Sequence, residues 1–302
     1  MDAAQVYRDL LGEMRKHISG QEQVIELMII SIVANGHALL EGVPGLAKTT
    51  MTKALANAIQ ADFKRIQGTN DLEPKDILGY TYVDSDNETK FNKGPVFTNI
   101  LLVDELNRTP PKTMSALLET LEERQVTVEG TSMPLMKPFV AFATQNPLTI
   151  EGTTPIPKVL ADRFLLKISV DYSTTDEEKA MLRLKEKEET VEVKKIIDTS
   201  GIIELQEAAK GVVLPDQVVS YITSIVGATR KDIHSVMGAS PRAEISFMQA
   251  GKAKAMLEGR SEVSKDDIKF LARPVLSHRI VVRATGGIGV HGIIDGIIAS
   301  VD

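Results

Sequence analysis

Lys48 and Thr49 stand side by side at the end of a glycine-bearing loop, EGVPGLAKTT over residues 41–50. That order suits phosphate chemistry. Loop N–H groups and a helix N-terminus face phosphate oxygens, the ammonium adds a point charge near the β- and γ-phosphates, and the hydroxyl reaches Mg²⁺. The general pattern G-x-x-x-x-G-K-[ST] is met at Gly42, Lys48 and Thr49 and broken at Ala47, which stands where a second glycine is usual. Alanine is the smallest residue with a Cβ, so the loop is expected to work if Ala47 keeps to backbone open to a Cβ. The candidate nucleotide-binding residues are Gly42, Val43, Pro44, Gly45, Leu46, Ala47, Lys48, Thr49 and Thr50.

Five further residues fit the same chemistry. ILLVDE is an apolar run ending in Asp104 and Glu105. At the C-terminal end of a strand, Asp104 can hold Mg²⁺ through water and Glu105 can orient and activate an attacking water. ATQNP places the Asn146 amide after another apolar run, where it can bind a γ-phosphate or the lytic water. Arg163, in LADRFLL, is either a local partner of Asp162 or a finger reaching a neighbouring subunit's nucleotide. Arg242, in GASPRA, falls in the first turn of a helix, where the dipole disfavours a cation. An anion nearby would offset that cost, and a γ-phosphate is one candidate.

Alternating elements are needed to bring these residues together. Apolar runs at 37–42, 63–66, 99–105, 138–144 and 163–170 read as strands, and the continuous run at 99–105 suits a sheet buried on both faces. Helical spacing separates them, at 48–59 and 110–123, which implies parallel pairing and a three-layer α/β domain. After Val170 the texture becomes helical: a charged segment that Ser173 or Thr174 caps, a helix opened by Ser240 and Pro241, and another by Ser264 with Asp267 at capping-box spacing. The expected division is a core over 1–190 and an all-helical lid over 191–302, whose apolar tail packs as a last helix.

Bulk composition narrows the classes. The 302 residues are 43% apolar and 25% charged, with net charge −6 and no cysteine. Thiolate zinc sites and thiol catalysis are excluded, and the charge argues against a broad nucleic-acid surface. The five histidines are scattered without metal-ligand spacing and read as structural. The apolar stretch 24–40 is interrupted by Glu26, Asn35 and His37, so no membrane span is expected. The N-terminus has early acids and no apolar h-region, so it does not read as a secretory leader; a cytoplasmic protein is expected.

Taken together, GVPGLAKT, LLVDELNR-PPKT-SALLE, ATQNP, LADRF and GASPRA closely resemble the MoxR family of AAA+ ATPases, from about Gly20–Ile25 to Leu276–Ile280. In that family the loop commonly carries the alanine seen at Ala47. The resemblance implies an AAA+ αβα sandwich with a five-stranded parallel sheet plus a small all-helical lid, and ATP with Mg²⁺ as cofactors. It makes Lys48 and Thr49 Walker A residues, Asp104 and Glu105 Walker B, Asn146 sensor 1, Arg163 the arginine finger and Arg242 sensor 2. Arg108 and Arg279 are further candidates for interface or phosphate contacts. It also implies two inserts, at 80–97 and 124–142, the second a hairpin turning at VEGTS.

As for partners, the resemblance implies a homo-oligomeric, hexameric ring, a von Willebrand A domain partner, and a client protein that is remodelled, activated or loaded with cofactor or metal. A nucleic-acid motor and a nucleotide-dependent switch are the alternatives. The few basic residues of the second insert count against the first, and Glu105 counts against the second.

Overall fold

Five of the apolar runs become five parallel strands. The structure, a computed structural model, describes residues 2–148, 152–186, 192–283 and 289–301. Helices α1 (Ala3–Met14) and α2 (Glu22–Val33) precede β1 (Ala38–Glu41), and α3 (Lys48–Ala58) follows it. Strand β2 (Phe63–Gln67) leads through α4 (Pro74–Leu78) into a hairpin of β3 (Gly79–Val83) and β4 (Thr89–Lys93). Next come β5 (Ile100–Asp104), a 3-10 turn at Leu106–Arg108, α5 (Pro111–Glu123) and a hairpin of β6 (Gln125–Val128) and β7 (Thr131–Pro134). Strand β8 (Val140–Gln145), α6 (Lys158–Ala161), β9 (Leu166–Ser169) and α7 (Thr175–Glu186) follow. The C-terminal part holds α8 (Thr199–Lys210), α9 (Asp216–Lys231), β10 (Ser235–Met237), α10 (Pro241–Leu257), α11 (Lys265–Leu276), β11 (Val281–Val282) and α12 (Val290–Val301).

The central sheet runs β2-β5-β8-β1-β9, every neighbouring pair parallel. Successive side chains point to opposite faces, and both faces are dry. Leu39, Leu101, Val103, Ala141 and Ala143 pack under Met114, Leu117 and Leu121 of α5. Ala38, Leu40, Ile100, Leu102, Val140 and Phe142 pack on the other face with α2, α3 and the C-terminal helices. This is why the runs show no polar alternation. The expected fifth strand starts three residues late, because Asp162 and Arg163 are used in a turn after α6.

The interrupted apolar stretch 24–40 resolves into α2 and β1. Nine of the twelve residues of α2 are buried, since it is sandwiched among α1, α8, α10 and β9. Among the described residues no helix is long and apolar enough to cross a membrane. The C-terminal part is helical, as expected, and Ser240 and the Ser264–Asp267 box cap α10 and α11. The structure adds one short antiparallel clip, β10 with β11. Helix α12 packs on α9 and α11 through buried Ile293, Ile294 and Ile297. The expected boundary at 190/191 lies outside the described residues.

Both inserts are hairpins. The second turns at Glu129 and Gly130, with φ of 49° and 79°, the pair of positive angles a tight two-residue hairpin needs. Thr81 Oγ1 donates to Glu129 Oε1 at 2.7 Å and ties the hairpins together.

Two histidines are structural pins. His37 accepts the Ala141 N–H at Nδ1 (2.9 Å), so Nε2–H donates to Leu121 O (2.9 Å). Burial, then the charge of Arg124, lowers its pKa from 6.5 to about 3. Burial likewise holds His278 well below its ordinary value. In the unfolded chain both bind protons below 6.5 and in the folded chain they do not, so stability is lost as pH falls. At about pH 5 His37 should cost about 2 kcal/mol, and His278 acts in the same direction. Chemical denaturation at about pH 7.5 and pH 5 checks this, and His37→Gln, which keeps the hydrogen bonds without titrating, should flatten the dependence.

Candidate functional site

The loop from β1 to α3 is shaped by close approach and by unusual backbone angles. A Cβ on Gly42 would lie 2.4 Å from Val170 O, so only glycine fits where the chain leaves the sheet. Gly45 turns with φ 88°. Ala47 departs from the expectation: its φ of 55° and ψ of 19° are left-handed. That costs a Cβ-bearing residue about 1 kcal/mol. Its carbonyl accepts the Met51 N–H (2.8 Å), the first bond of α3. Lys48 Nζ folds back over the loop onto Gly42 O (2.5 Å) and Val43 O (2.7 Å). Burial lowers the Lys48 pKa, and Asp104 and Glu105 pull it back up.

Sheet order then assembles the rest. Because β8 lies between β1 and β5, Asn146 after β8 falls between the loop and the Asp104–Glu105 pair. All three ends border a cleft of about 380 Å³, lined by the loop residues except Val43, by Asp104, Glu105 and Asn146, and by Arg65, Gln67, Thr144 and Gln145. Thr49 Oγ1 donates to Asp104 Oδ2 (3.2 Å), and Thr144 Oγ1 donates to Asp104 Oδ1 (2.6 Å). The Glu105 N–H donates to the same Thr144 hydroxyl (2.8 Å). Asn146 Oδ1 accepts from the Leu148 N–H (3.1 Å), which orients its amide. The residues fit Mg²⁺ and a nucleotide phosphate chain: hard hydroxyl and carboxylate oxygens are adjacent, beside a loop of N–H groups and an ammonium.

Arg163 and Arg242 are elsewhere. Both bind the carboxylate of Glu122 near the end of α5, Arg242 at 2.8 Å. Arg242 first, with Arg163, holds the Glu122 carboxyl below its ordinary range. They line a second cleft of about 220 Å³ with Asn35, Gly36 and His37. Those residues precede β1, whereas Lys48 follows it, and β1 alone is about 13 Å long. Arg163 Nε is buried without a hydrogen-bond partner. Around the pair, Val159, Met237 and Ile245 are exposed. Arg279 is buried and spent locally, with Nε on Asp162 Oδ1 (2.9 Å) and further N–H groups on Phe164 O and Ser246 Oγ. Asp162 is therefore the partner of Arg279, with Arg242 Nε 3.8 Å away, and Arg163 pairs with Glu122 instead.

Comparison with known proteins agrees with this geometry. Residues 37–166 match the model of the ATPase family associated with various cellular activities (AAA), and residues 227–288 match the AAA lid domain. Chaperone MoxR1 of Mycobacterium tuberculosis is 39% identical over 89% of this chain and 74% of its own length. The chain belongs to the MoxR family of AAA+ ATPases. An uncharacterized protein, YeaC, of Bacillus subtilis is 42% identical over 97% of this chain and 94% of its own. The crystal structure of a candidate ATPase from Cytophaga hutchinsonii superposes with a TM-score of 0.92 at 37% identity, covering 99% of this chain and 95% of the other.

For this MoxR-family chain, three further arginines are placed as follows. Arg242, for which a γ-phosphate was one candidate anion, does not line the cleft of its own loop; its anion here is Glu122. Arg279 is engaged within its own chain. Arg108 is a neighbour of the carboxylate pair, with Nη1 on Glu105 Oε2 at 2.9 Å. Sequence reasoning also missed Arg65, Gln67 and Thr144. The first two were detectable: two residues apart in FKRIQ, they share one face of β2, and β2 pairs in register with β5, Gln67 beside Asp104.

Proposed function

We propose that this chain hydrolyses ATP with Mg²⁺ at the 42–50 loop, as one subunit of a homo-oligomeric ring, and uses the cycle to remodel or activate other proteins. Mg²⁺-ATP supplies the phosphoanhydride and a metal charge that offsets its oxygens. Lys48 leaves its two carbonyls and adds positive charge at the transferring phosphoryl group. Thr49 and Asp104 would hold the metal, the latter through water. Glu105 takes the proton of the attacking water at a carboxylate oxygen, and Asn146 orients that water or the γ-phosphate.

The observation that carries the ring is the position of Arg163 and Arg242. They stand together at the other end of β1 from their own Lys48, amid exposed apolar side chains, with one guanidinium nitrogen unsatisfied. A neighbouring subunit's cleft gives both arginines an anion, and such repeated head-to-tail contacts close into a ring, a hexamer by family resemblance. The Glu122 carboxylate holds the pair until that neighbour docks. A von Willebrand A domain partner, a client that is remodelled or loaded with cofactor or metal, a cytoplasmic setting, and the division into a 1–190 core and a 191–302 lid belong to the same reading.

The test is ATPase rate per subunit against protein concentration, with mass measured by light scattering in parallel. The rate should climb as assembly proceeds and ignore single-stranded DNA. An unchanged rate in a monomer would reject the shared site, and strong stimulation by DNA would reject the protein client in favour of a nucleic-acid motor.

A further inference from the structure

Asp104 accepts four hydrogen bonds from three side chains. Its Oδ1 is taken by Thr144. Its Oδ2 accepts the Thr49 hydroxyl and, in addition, two N–H groups of Arg65, Nε at 3.1 Å and Nη2 at 2.8 Å. The same Nη2 donates to Gln67 Oε1 at 2.6 Å, and Gln67 Nε2 donates to Glu105 Oε2 at 3.2 Å. One unbroken chain of hydrogen bonds therefore joins the two carboxylates: Asp104, Arg65, Gln67, Glu105.

Position makes this link reversible. Strand β2 is the edge of the sheet, and nearly half of the Arg65 side chain (47%) is exposed, against 14% for Asp104. The guanidinium can leave into water; the carboxylate cannot. A metal held by Thr49 would bring its water to the oxygen of Asp104 that faces Thr49, Oδ2, and that oxygen already accepts from Thr49 and from two N–H groups of Arg65. A divalent cation also repels a guanidinium at this distance.

We propose that Arg65 is an internal placeholder for the divalent metal. Its guanidinium keeps Asp104 neutralised while the loop is empty, and the metal must displace it. The inference rests on the reading of Asp104 and Glu105 given above.

The test is Mn²⁺ binding to the full chain with ADP present, read from the free-Mn²⁺ electron paramagnetic resonance signal. Nucleotide affinity without metal is measured alongside by fluorescent ADP in EDTA. Arg65→Ala should bind Mn²⁺ on the order of fivefold more tightly, the upper range for a half-exposed ion pair, with metal-free nucleotide affinity unchanged. Arg65→Lys, which keeps the charge, should stay within about twofold of wild type. In turnover, Arg65→Ala should need less Mg²⁺ for half-saturation. An unchanged or weaker Mn²⁺ curve for Arg65→Ala, or an Arg65→Lys curve that follows it, overturns the placeholder. A fall in metal-free nucleotide affinity also overturns it, by making Arg65 a phosphate ligand. Wild-type protein that takes up no Mn²⁺ beside the nucleotide would instead sink the metal-site reading itself.

Discussion

Glu105→Gln is expected to bind ATP as tightly as the wild type and to hydrolyse it on the order of 10²- to 10⁴-fold more slowly. The amide has the shape of the carboxylate but cannot take a proton from water. Its place should survive the change, because the backbone fixes it: the Glu105 N–H is bonded to Thr144, and the residue sits at φ 53° at the head of the 3-10 turn. The amide oxygen can still accept from Arg108. Folding and binding are therefore retained while chemistry stalls, and nucleotide-loaded assemblies should accumulate. Single-turnover hydrolysis and equilibrium binding on the same preparation separate the two. Turnover at the wild-type rate would remove Glu105 from the role of base.

Arg163→Ala is expected to lose about 10³-fold in rate or more, the scale of a missing arginine finger, with ATP affinity kept. The decisive arm mixes it with Lys48→Ala subunits. Each parent is inactive for a different reason: one has a loop without an incoming finger, the other a finger without a loop. Where the two meet in the right order, a complete site forms, and activity should return in part. Light scattering must show that the mixture assembles. Assembly without any recovery would sink the trans role of Arg163. Arg279 could not take the role over, because its guanidinium is buried on Asp162 and backbone carbonyls.

The legible part of the site was the part encoded in contiguous residues. The loop, the Asp104–Glu105 pair and Asn146 each close an apolar run, and a parallel sheet brings such ends to one edge without further information. What was not legible depended on contacts across sequence. Glu122 gives no local hint that it will bind both Arg163 and Arg242, and they stand 41 and 120 residues away. Arg242 was correctly read as needing an anion at its helix start, but pattern alone could not say which. Ala47 was read as tolerable on backbone open to a Cβ, and it sits in the left-handed region, which no local pattern showed. In the C-terminal part, Ser235–Met237 and Val281–Val282 are too short to show a strand period and pair only because the surrounding helices bring them together.

Helix α2 has a mechanical consequence. Its buried face is shared: the same apolar cluster that holds α2 and α3 to the sheet contains Ile202, Leu205, Ile222, Phe247 and Leu271 from the C-terminal helices. Gln206 Nε2 on Ile32 O (2.8 Å) and Lys254 Nζ on Glu26 Oε1 (3.0 Å) rivet the join. Prying the two parts apart would wet several large side chains at about 1.5–3 kcal/mol each, more than a few new contacts to a phosphate can return. Among the described residues the two parts therefore share one continuous core, and a shift at the loop is expected to reach the C-terminal helices as a movement of that shared body.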